Sequence, residues 1–415
     1  MHFFKYRNNE LYAEEVPIGH IAEKWGTPLY VYSRMTIERH LKTYREAFKY
    51  IEHTICFAVK SNPNLTILKI LSEIGAGADI VSGGELFLAL KSGIDPHKIV
   101  YTGVGKTDEE IRYALRSDIL MFNIESEDEL IEIDKIAHKM HKKARIGLRV
   151  NPEVDAKTHP YISTGLKKYK FGIPIEDALE LYLLAKRLKS VEVIGIHSHI
   201  GSQITDTEPF IQSLANILTL IEQLQKRGIN IQYLDLGGGL GIRYKDEAPP
   251  LPSELSHKLK GLLVNKKLKI ILEPGRSIIG NAGILVGKVL YIKEGHRNFI
   301  ITDTGMNDLI RPALYQAYHQ ILPIKKSRLK KTIFGDLVGP ICESGDFLAK
   351  ERELPSFKRG DLFAVMSAGA YGFSMSSNYN ARLRAAEVMV DGKRSYLIRR
   401  RETYQDIIRN CIIKD

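Results

Sequence analysis

Between residues 55 and 273 the chain repeats one pattern: a short apolar run rich in β-branched residues, then a segment long enough and suitably patterned for an amphipathic helix. Parallel strands joined by crossover helices produce this alternation, because helices cover both faces of the sheet and the strands become continuously apolar. Eight such runs occur, at 55–59, 78–81, 99–102, 119–122, 145–150, 193–197, 231–236 and 269–272. Eight parallel strands are the number that closes into a barrel filled by its own side chains. Ser82, Thr107 and Ser126 each stand three residues before a glutamate, Glu85, Glu110 and Glu129, the sequence form of a capping box, and each falls just after a run.

Past Gly283 the signal changes to β-rich stretches at 284–292, 299–303, 361–366 and 386–390, punctuated by glycine. A strand-like 29–32 precedes the barrel and is expected to pair with that later region. A chain of 415 residues exceeds the roughly 250–300 at which single cores stop growing. The expected fold is therefore α/β, a (β/α)8 TIM-type barrel over 34–280 with a second, mainly β domain assembled from 1–33 and 281–415. The stretch 155–169, after the fifth run, reads as a lid.

A formal charge of +11 raises the question of nucleic acid. The densest basic runs are Lys325, Lys326, Arg328, Lys330 and Lys331, and Arg399, Arg400 and Arg401; they are short and lack interleaved aromatics, so a solvated face is expected, with no nucleic-acid partner. An anionic small molecule suits the sign equally well. Cys56, Cys342 and Cys411 are odd in number and lack metal-ligand spacing, which argues against a disulfide framework or metal site and fits a reducing cytoplasm. No stretch reaches the roughly 18 apolar residues of a membrane helix, and the first ten residues are charged.

Barrel active sites form where the C-terminal strand ends meet their loops. There the chain places Lys60 after the first run, Asp79 and Ser82 around the end of the second, and Arg149 at the fifth. His197 and His199 end the sixth, Gly237, Gly238 and Gly239 follow the seventh, and Glu273, Gly275 and Arg276 follow the eighth. Phosphate commonly binds after strands seven and eight, where glycines let backbone N–H groups approach an anion and Arg276 adds a forked cation. An amine directly after Phe57-Ala-Val59 is positioned to be desolvated and to form an imine. An acid such as Glu273 against a pyridine nitrogen keeps it protonated and makes the ring an electron sink, which decarboxylation requires. Each residue alone has a plainer reading, as a tight turn, a solvent-facing lysine, a glutamate satisfied by a basic neighbour or a core histidine. Their coincidence points to pyridoxal 5'-phosphate.

The strings Phe57-Ala-Val-Lys60-Ser-Asn-Pro-Asn64, Gly77-Ala-Asp79-Ile-Val-Ser82-Gly-Gly-Glu85, His197-Ser-His199-Ile-Gly-Ser202-Gln203, Asp235-Leu-Gly237-Gly-Gly239 and Glu273-Pro-Gly275-Arg276 closely resemble those of the diaminopimelate decarboxylase family. So do Arg311-Pro-Ala-Leu-Tyr315, Gly339-Pro-Ile-Cys342-Glu343-Ser-Gly-Asp346, Gly369-Ala-Tyr371-Gly372 and Asn378-Tyr-Asn380, so that the resemblance covers nearly the whole chain. It implies an alanine-racemase-type, fold type III, enzyme that decarboxylates meso-2,6-diaminopimelate to L-lysine in the last step of that route. By the resemblance Lys60 holds the cofactor, His199 stacks on its ring and Glu273 pairs with its nitrogen. Ser202, Gly238, Gly239, Gly275, Arg276 and Tyr371 surround the phosphate, and Asp79 and Arg149 support. Cys342 protonates the carbanion, and an obligate homodimer delivers it with Glu343 from the partner subunit. Ser61 stands where the family commonly has alanine, and Leu383 where proline is expected.

The substrate carries a second carboxylate and a second ammonium beyond the reacting centre, so its far end needs opposite charges. Arg276 and Arg311 with Tyr315 suit the carboxylate and Glu343 the ammonium, and Tyr371 is a further expected substrate contact. A related decarboxylase for ornithine, arginine or carboxynorspermidine would share the cofactor site but not this full set. A racemase would favour a weaker electron sink than Glu273 provides, and a noncatalytic regulatory relative would be free to lose Lys60 or Cys342.

Overall fold

The computed structural model describes residues 2–155, 170–327 and 331–414. The proposed lid at 155–169 thus lies, but for Asp155, outside the described residues. The chain divides into two compact units, one comprising 39–242 and 248–277, the other 1–38, 243–247 and 278–415.

The first unit is a closed barrel of eight parallel strands, β1 (His53–Ala58), β2 (Gly77–Ile80), β3 (Ile99–Tyr101), β4 (Met121–Ile124), β5 (Ala144–Asn151), β6 (Val191–His197), β7 (Tyr233–Asp235) and β8 (Lys269–Leu272). Sequential neighbours pair in parallel, and β8 closes on β1 with Ile270 opposite His53. Seven of the eight expected runs differ from their strands by one or two residues at an end, and two of these shifts have a plain local cause. Asp118 ends the preceding helix in the left-handed conformation, so Ile119 and Leu120 only lead into β4, and Val59 opens a 3-10 turn, Val59–Ser61, that carries Lys60 off the end of β1.

Seven helices follow β1 to β7 in turn, at Leu65–Glu73, Gly83–Lys91, Asp108–Ser117, Glu127–Lys139, Ile175–Arg187, Glu208–Lys226 and Pro252–Leu263. The eighth βα unit departs from expectation, since only the single turn Arg276–Ile279 follows β8. Its place is taken by the helix Arg34–Phe48 from before β1, which packs beside Pro252–Leu263 with Ser256 Oγ donating to the Ala47 carbonyl at 2.5 Å. Of the three expected capping boxes only Thr107 and Glu110 exchange both bonds. Ser82 and Ser126 accept from the Glu85 and Glu129 N–H groups, but those glutamates accept from Val81 N and Glu125 N, one residue further back, which ties each strand end to its helix.

Inside the barrel one layer is apolar, built from Cys56, Val100, Leu120, Met121, Ile194 and Ile271. A Cβ on Gly195 of β6 would come within 2.3 Å of the Met121 sulfur, and one on Gly147 of β5 would press on the Gly195 backbone at 2.9 Å. Towards the C-terminal strand ends the lining turns polar. Asp79, Thr102, Asn123, His197, Asp235 and Glu273 are all buried there.

The second unit is mainly β. Its largest sheet runs Phe347–Pro355, Thr332–Val338, Phe299–Thr302, Gly283–Lys293, Leu29–Ser33, Ala386–Asp391, Arg394–Arg399. Within it Leu29–Ser33 lies between Gly283–Lys293, to which it is antiparallel, and Ala386–Asp391, to which it is parallel. A mainly β unit drawn from both chain ends is thus observed, and it also takes in residues 243–247, which the sequence reading did not assign to it. Its core gathers Leu29, Val31, Ile284, Val286, Ala364, Val388 and Val390. Among the described residues no helix is long and apolar enough to cross a membrane, and all three cysteines are free.

Candidate active site

The turn after β1 points Lys60 at β2, and its Nζ lies 3.1 Å from Asp79 Oδ2. Lys60 is not fully desolvated, its side chain being 37 % exposed while Asp79 is completely buried. Burial, with the charge of Glu273 adding to it, pushes the Asp79 carboxyl up to about 6 against the opposing pull of Lys60.

Glu273, just past β8, reaches back into the polar layer. Its Oε2 lies 3.3 Å from His197 Nε2, and its Oε1 accepts from Thr102 Oγ1 at 3.5 Å. Burial alone would raise this carboxyl, but His197 first, then Lys60 and His199, hold it below the usual carboxylate range. On β7, Asp235 behaves oppositely. Burial and the neighbouring Glu273 raise it well above an ordinary aspartate, although its Oδ1 accepts from Gly237 N–H at 2.9 Å. Two buried carboxylates with divergent preferences thus lie side by side, Glu273 ionised and Asp235 inclined to keep a proton.

Two residues beyond β6, the Nδ1 of His199 accepts the Gly238 N–H at 3.1 Å. Burial pushes this imidazole well below its ordinary value, and the charges of Lys60 and Arg149 add to the effect. The ring is therefore neutral, with its proton on Nε2, and offers a flat uncharged face.

The glycine run after β7 forms a close-fitting cradle. Gly237 has φ +64°, and a Cβ on it would come within 2.7 Å of the Ser198 carbonyl oxygen; a Cβ on Gly238 would collide with the Glu273 carbonyl. Gly239 O accepts from Ile204 N at 2.9 Å, which fastens the 201–204 loop to the glycines. On that loop Ser202 Oγ accepts from Arg276 Nη2 at 2.9 Å, and Gly275 beside it packs against Ala58 and Ser61. Arg149, inside β5 rather than closing it, forms a buried ion pair with Glu125 Oε1 at 2.8 Å. Glu125 also accepts from Gly103 and Gly172 N–H groups and so ties three loops together.

The structure thus gathers Lys60, Asp79, Arg149, His199, Ser202, Gly238, Gly239, Glu273, Gly275 and Arg276 at one end of the barrel. It adds Thr102, Asn123, Glu125 and Asp235, which the sequence reading did not single out, and gives a partner role to His197, which that reading noted without one. The available signal was a lone polar residue closing each apolar run.

In the β unit Arg311 is buried, its Nη1 2.7 Å from His319 Nε2 and its guanidinium 4.7 Å from the centre of the Tyr244 ring. Tyr315 ends the same short helix, Arg311–Tyr315. Cys342 and Glu343 are exposed on a loop fixed from both sides. Asp346 accepts from Ile341 N at 2.7 Å and Met306 N at 2.6 Å, Cys342 N donates to Asn380 Oδ1 at 2.7 Å, and Tyr379 OH donates to Glu343 Oε2 at 3.2 Å. Tyr371 holds a left-handed backbone, φ +56°.

The barrel residues fit pyridoxal phosphate on their own chemistry. They supply an amine, an ionised carboxylate for a protonated ring nitrogen, a flat neutral imidazole, and a cradle from which side chains are sterically excluded beside an arginine and a serine.

Residues 34–280 match the family described as pyridoxal-dependent decarboxylase, pyridoxal binding domain. Fold, site and this match together define the chain as a pyridoxal-dependent decarboxylase. Diaminopimelate decarboxylase of Aquifex aeolicus is 54 % identical over 408 residues, 98 % of this chain and 96 % of that protein. The Haemophilus influenzae enzyme of the same name is 54 % identical over 409 residues, 98 % of each. A crystal structure of Helicobacter pylori diaminopimelate decarboxylase complexed with L-lysine aligns with a TM-score of 0.91 at 42 % identity, covering 94 % of this chain and 98 % of that one. The chain belongs to the diaminopimelate decarboxylase family.

Proposed function

We propose that the chain releases one carboxyl group of meso-2,6-diaminopimelate as carbon dioxide and leaves L-lysine, the closing step of lysine biosynthesis by that route. The observation that carries this reading is the convergence of Lys60, ionised Glu273 and neutral His199 on one barrel end, in a chain that matches diaminopimelate decarboxylases over nearly its full length. When bound, pyridoxal phosphate supplies a protonated conjugated ring that takes up the electron pair left by the departing carboxyl group.

The chain's residues then have separate tasks. Lys60 Nζ would hold the cofactor by its aldehyde, with Asp79 as its counter-charge. Glu273 would keep a proton on the ring nitrogen, and neutral His199 would offer the ring an uncharged face. Ser202, Gly238, Gly239, Gly275, Arg276 and Tyr371 hold the phosphate, while Arg149 fixes the surrounding loops through Glu125. At the substrate's far end Arg276, Arg311, Tyr315 and Tyr371 take the carboxylate and Glu343 the ammonium. Cys342 Sγ delivers a proton to the α-carbon once carbon dioxide has left.

The reading includes a homodimer in which Cys342 and Glu343 of the partner subunit complete each site; both side chains are exposed in the single chain. It includes a cytoplasmic location, which suits three free cysteines. It takes 34–280 as the cofactor-binding domain and 1–33 with 281–415 as the β domain.

Purified protein with cofactor, given meso-diaminopimelate, L-ornithine or L-arginine in separate assays, is expected to release carbon dioxide from the first alone. Release from either of the others alone overturns the substrate. Borohydride reduction and peptide mass analysis are expected to find the cofactor on Lys60, and a label on another amine overturns the site.

A further inference from the structure

His197 has no task in the reaction as described, yet it is fully buried in the polar layer of the barrel. Its Nε2 faces Glu273 at 3.3 Å, and its Nδ1 has no hydrogen-bond partner among the described residues. One donor atom each from His197, Asp235 and Glu273 lie within 4.8 Å of one another. At such separations in a buried site, two carboxylates resist ionising together, and one proton is shared between them. Which oxygen keeps it matters, because only Glu273 is the acid assigned to the cofactor's ring nitrogen.

The partners on the two acids decide the outcome. Asp235 is held by neutral donors, Gly237 N–H on Oδ1 at 2.9 Å and Asn123 Nδ2 on Oδ2 at 3.4 Å. Glu273 has the Thr102 hydroxyl at 3.5 Å and His197 Nε2 in direct contact at 3.3 Å, whereas His197, though near Asp235 as well, makes no hydrogen bond to it among the described residues. The other titratable groups acting on this cluster are Lys60 and Cys56 from β1 and its turn, Asp79 on β2 and His199 after β6. Lys60 is drawn off towards Asp79 at 3.1 Å. His197 is thus the group that distinguishes Glu273 from Asp235.

We propose that His197 is a positioning residue for the reaction: it keeps the negative charge of the Asp235 and Glu273 pair on Glu273 and leaves the proton on Asp235. The directions in which the two acids are displaced, Glu273 down and Asp235 up, agree. This inference rests on the reading of Glu273 as the ring-nitrogen partner, but the ionisation it describes belongs to the cofactor-free protein and is tested there.

The experiment follows the Glu273 carboxyl by carbon-13 NMR in cofactor-free protein, assigned by the signal lost in Glu273→Gln. In the unsubstituted chain the carboxyl is expected to stay ionised to below the usual carboxylate range. In His197→Gln, which retains an N–H donor but cannot carry charge, its midpoint is expected to rise by at least one pH unit. In the double variant His197→Gln with Asp235→Asn the competing acid is gone, and the midpoint is expected to fall again. In parallel, carbon dioxide release by the loaded His197→Gln enzyme falls at least about tenfold in kcat with little change in KM, and the second substitution recovers part of the loss. An unmoved midpoint in His197→Gln overturns the proposal, as does a raised midpoint that Asp235→Asn does not reverse, the pattern of a merely structural histidine. If His197→Gln fails to fold, Asp235→Asn alone still decides, since it must not raise the Glu273 midpoint. A chain inactive on diaminopimelate whose Glu273 still titrates as stated would overturn the substrate and spare the charge assignment.

Discussion

Arg276 donates a 2.9 Å hydrogen bond to Ser202 Oγ and so joins the segment after β8 to the loop after β6, on either side of the glycine run. A guanidinium held in this way presents its remaining N–H groups as a fixed fork, a geometry a lysine ammonium cannot reproduce. Arg276→Lys is therefore expected to weaken pyridoxal phosphate binding about tenfold or more, while pyridoxal, which lacks the phosphate, binds as before. Fluorescence titration of cofactor-free protein with both compounds checks this. Equal losses for the two would remove Arg276 from the phosphate site.

Asp308 governs how stability responds to pH. It is buried, its Oδ2 accepts from Gly305 N–H at 3.0 Å, and Oδ1 has no hydrogen-bond partner among the described residues. Burial pushes its carboxyl up to about 7. Below about pH 4 both folded and unfolded chains are protonated there; between about 4 and 7 only the folded chain keeps the proton, so this contribution to stability is lost as pH rises through that window. Asp79 and Glu85, pushed up to about 6 and 7, act with the same sign. Asp308→Asn, which still accepts from Gly305, is expected to unfold at a higher temperature than the unsubstituted chain at pH 8 and at the same temperature at pH 4. Calorimetry of cofactor-free protein decides it, and parallel curves for the two chains would show that Asp308 does not titrate in this window.

The barrel was legible because its strands are covered on both faces and read as unbroken apolar runs. The polar layer inside it was not. His197 and Glu273 are 76 positions apart, and no periodicity along the chain says which strand ends face each other across a closed barrel. The role of Arg34–Phe48 as the eighth outer helix was hidden for the same reason, since it precedes the strand it serves. In the β unit the missed strands include two with weak burial patterns: Thr332–Val338 is exposed over much of its first half, and Arg394–Arg399 is an edge strand with charged ends. Lys60, Glu273 and the glycines were legible because their chemistry is unusual at strand ends. Asp235 was masked by the glycines it precedes, and Glu125 by its place before a predicted helix.

Cys342 is exposed and its backbone is anchored by Asn380, so replacing its side chain removes a thiol without disturbing a core. Cys342→Ala is expected to bind pyridoxal phosphate with unchanged affinity and to lose about a hundredfold in steady-state formation of L-lysine, the lower end of what a positioned proton donor contributes. Fluorescence titration with pyridoxal phosphate measures the first, and steady-state lysine formation from meso-diaminopimelate measures the second. Turnover equal to that of the unsubstituted chain would exclude Cys342 as the proton source.

The orientation of Arg311 is set by His319, and the chemistry of the pair fixes which atom carries the proton. Arginine only donates, so His319 Nε2 must accept from Arg311 Nη1 at 2.7 Å. The other ring nitrogen, Nδ1, faces the Met366 carbonyl at 2.8 Å and must therefore be the protonated one. Tyr244 closes the arrangement, its ring edge-on to His319 at 5.3 Å between centroids. His319→Phe keeps a ring against Tyr244 but removes the acceptor that Arg311 Nη1 now has, and with it one constraint on the direction of the guanidinium. If Arg311 holds the far carboxylate of the substrate, this variant should raise KM for meso-diaminopimelate about tenfold with kcat changed by less than about threefold, the mark of lost uniform binding. His319→Gln, whose amide oxygen can accept in place of Nε2, should recover most of the affinity. A KM that stays constant across both variants, in protein whose thermal unfolding shows it folded, would mean that Arg311 serves the β unit's stability and that the substrate carboxylate is bound elsewhere.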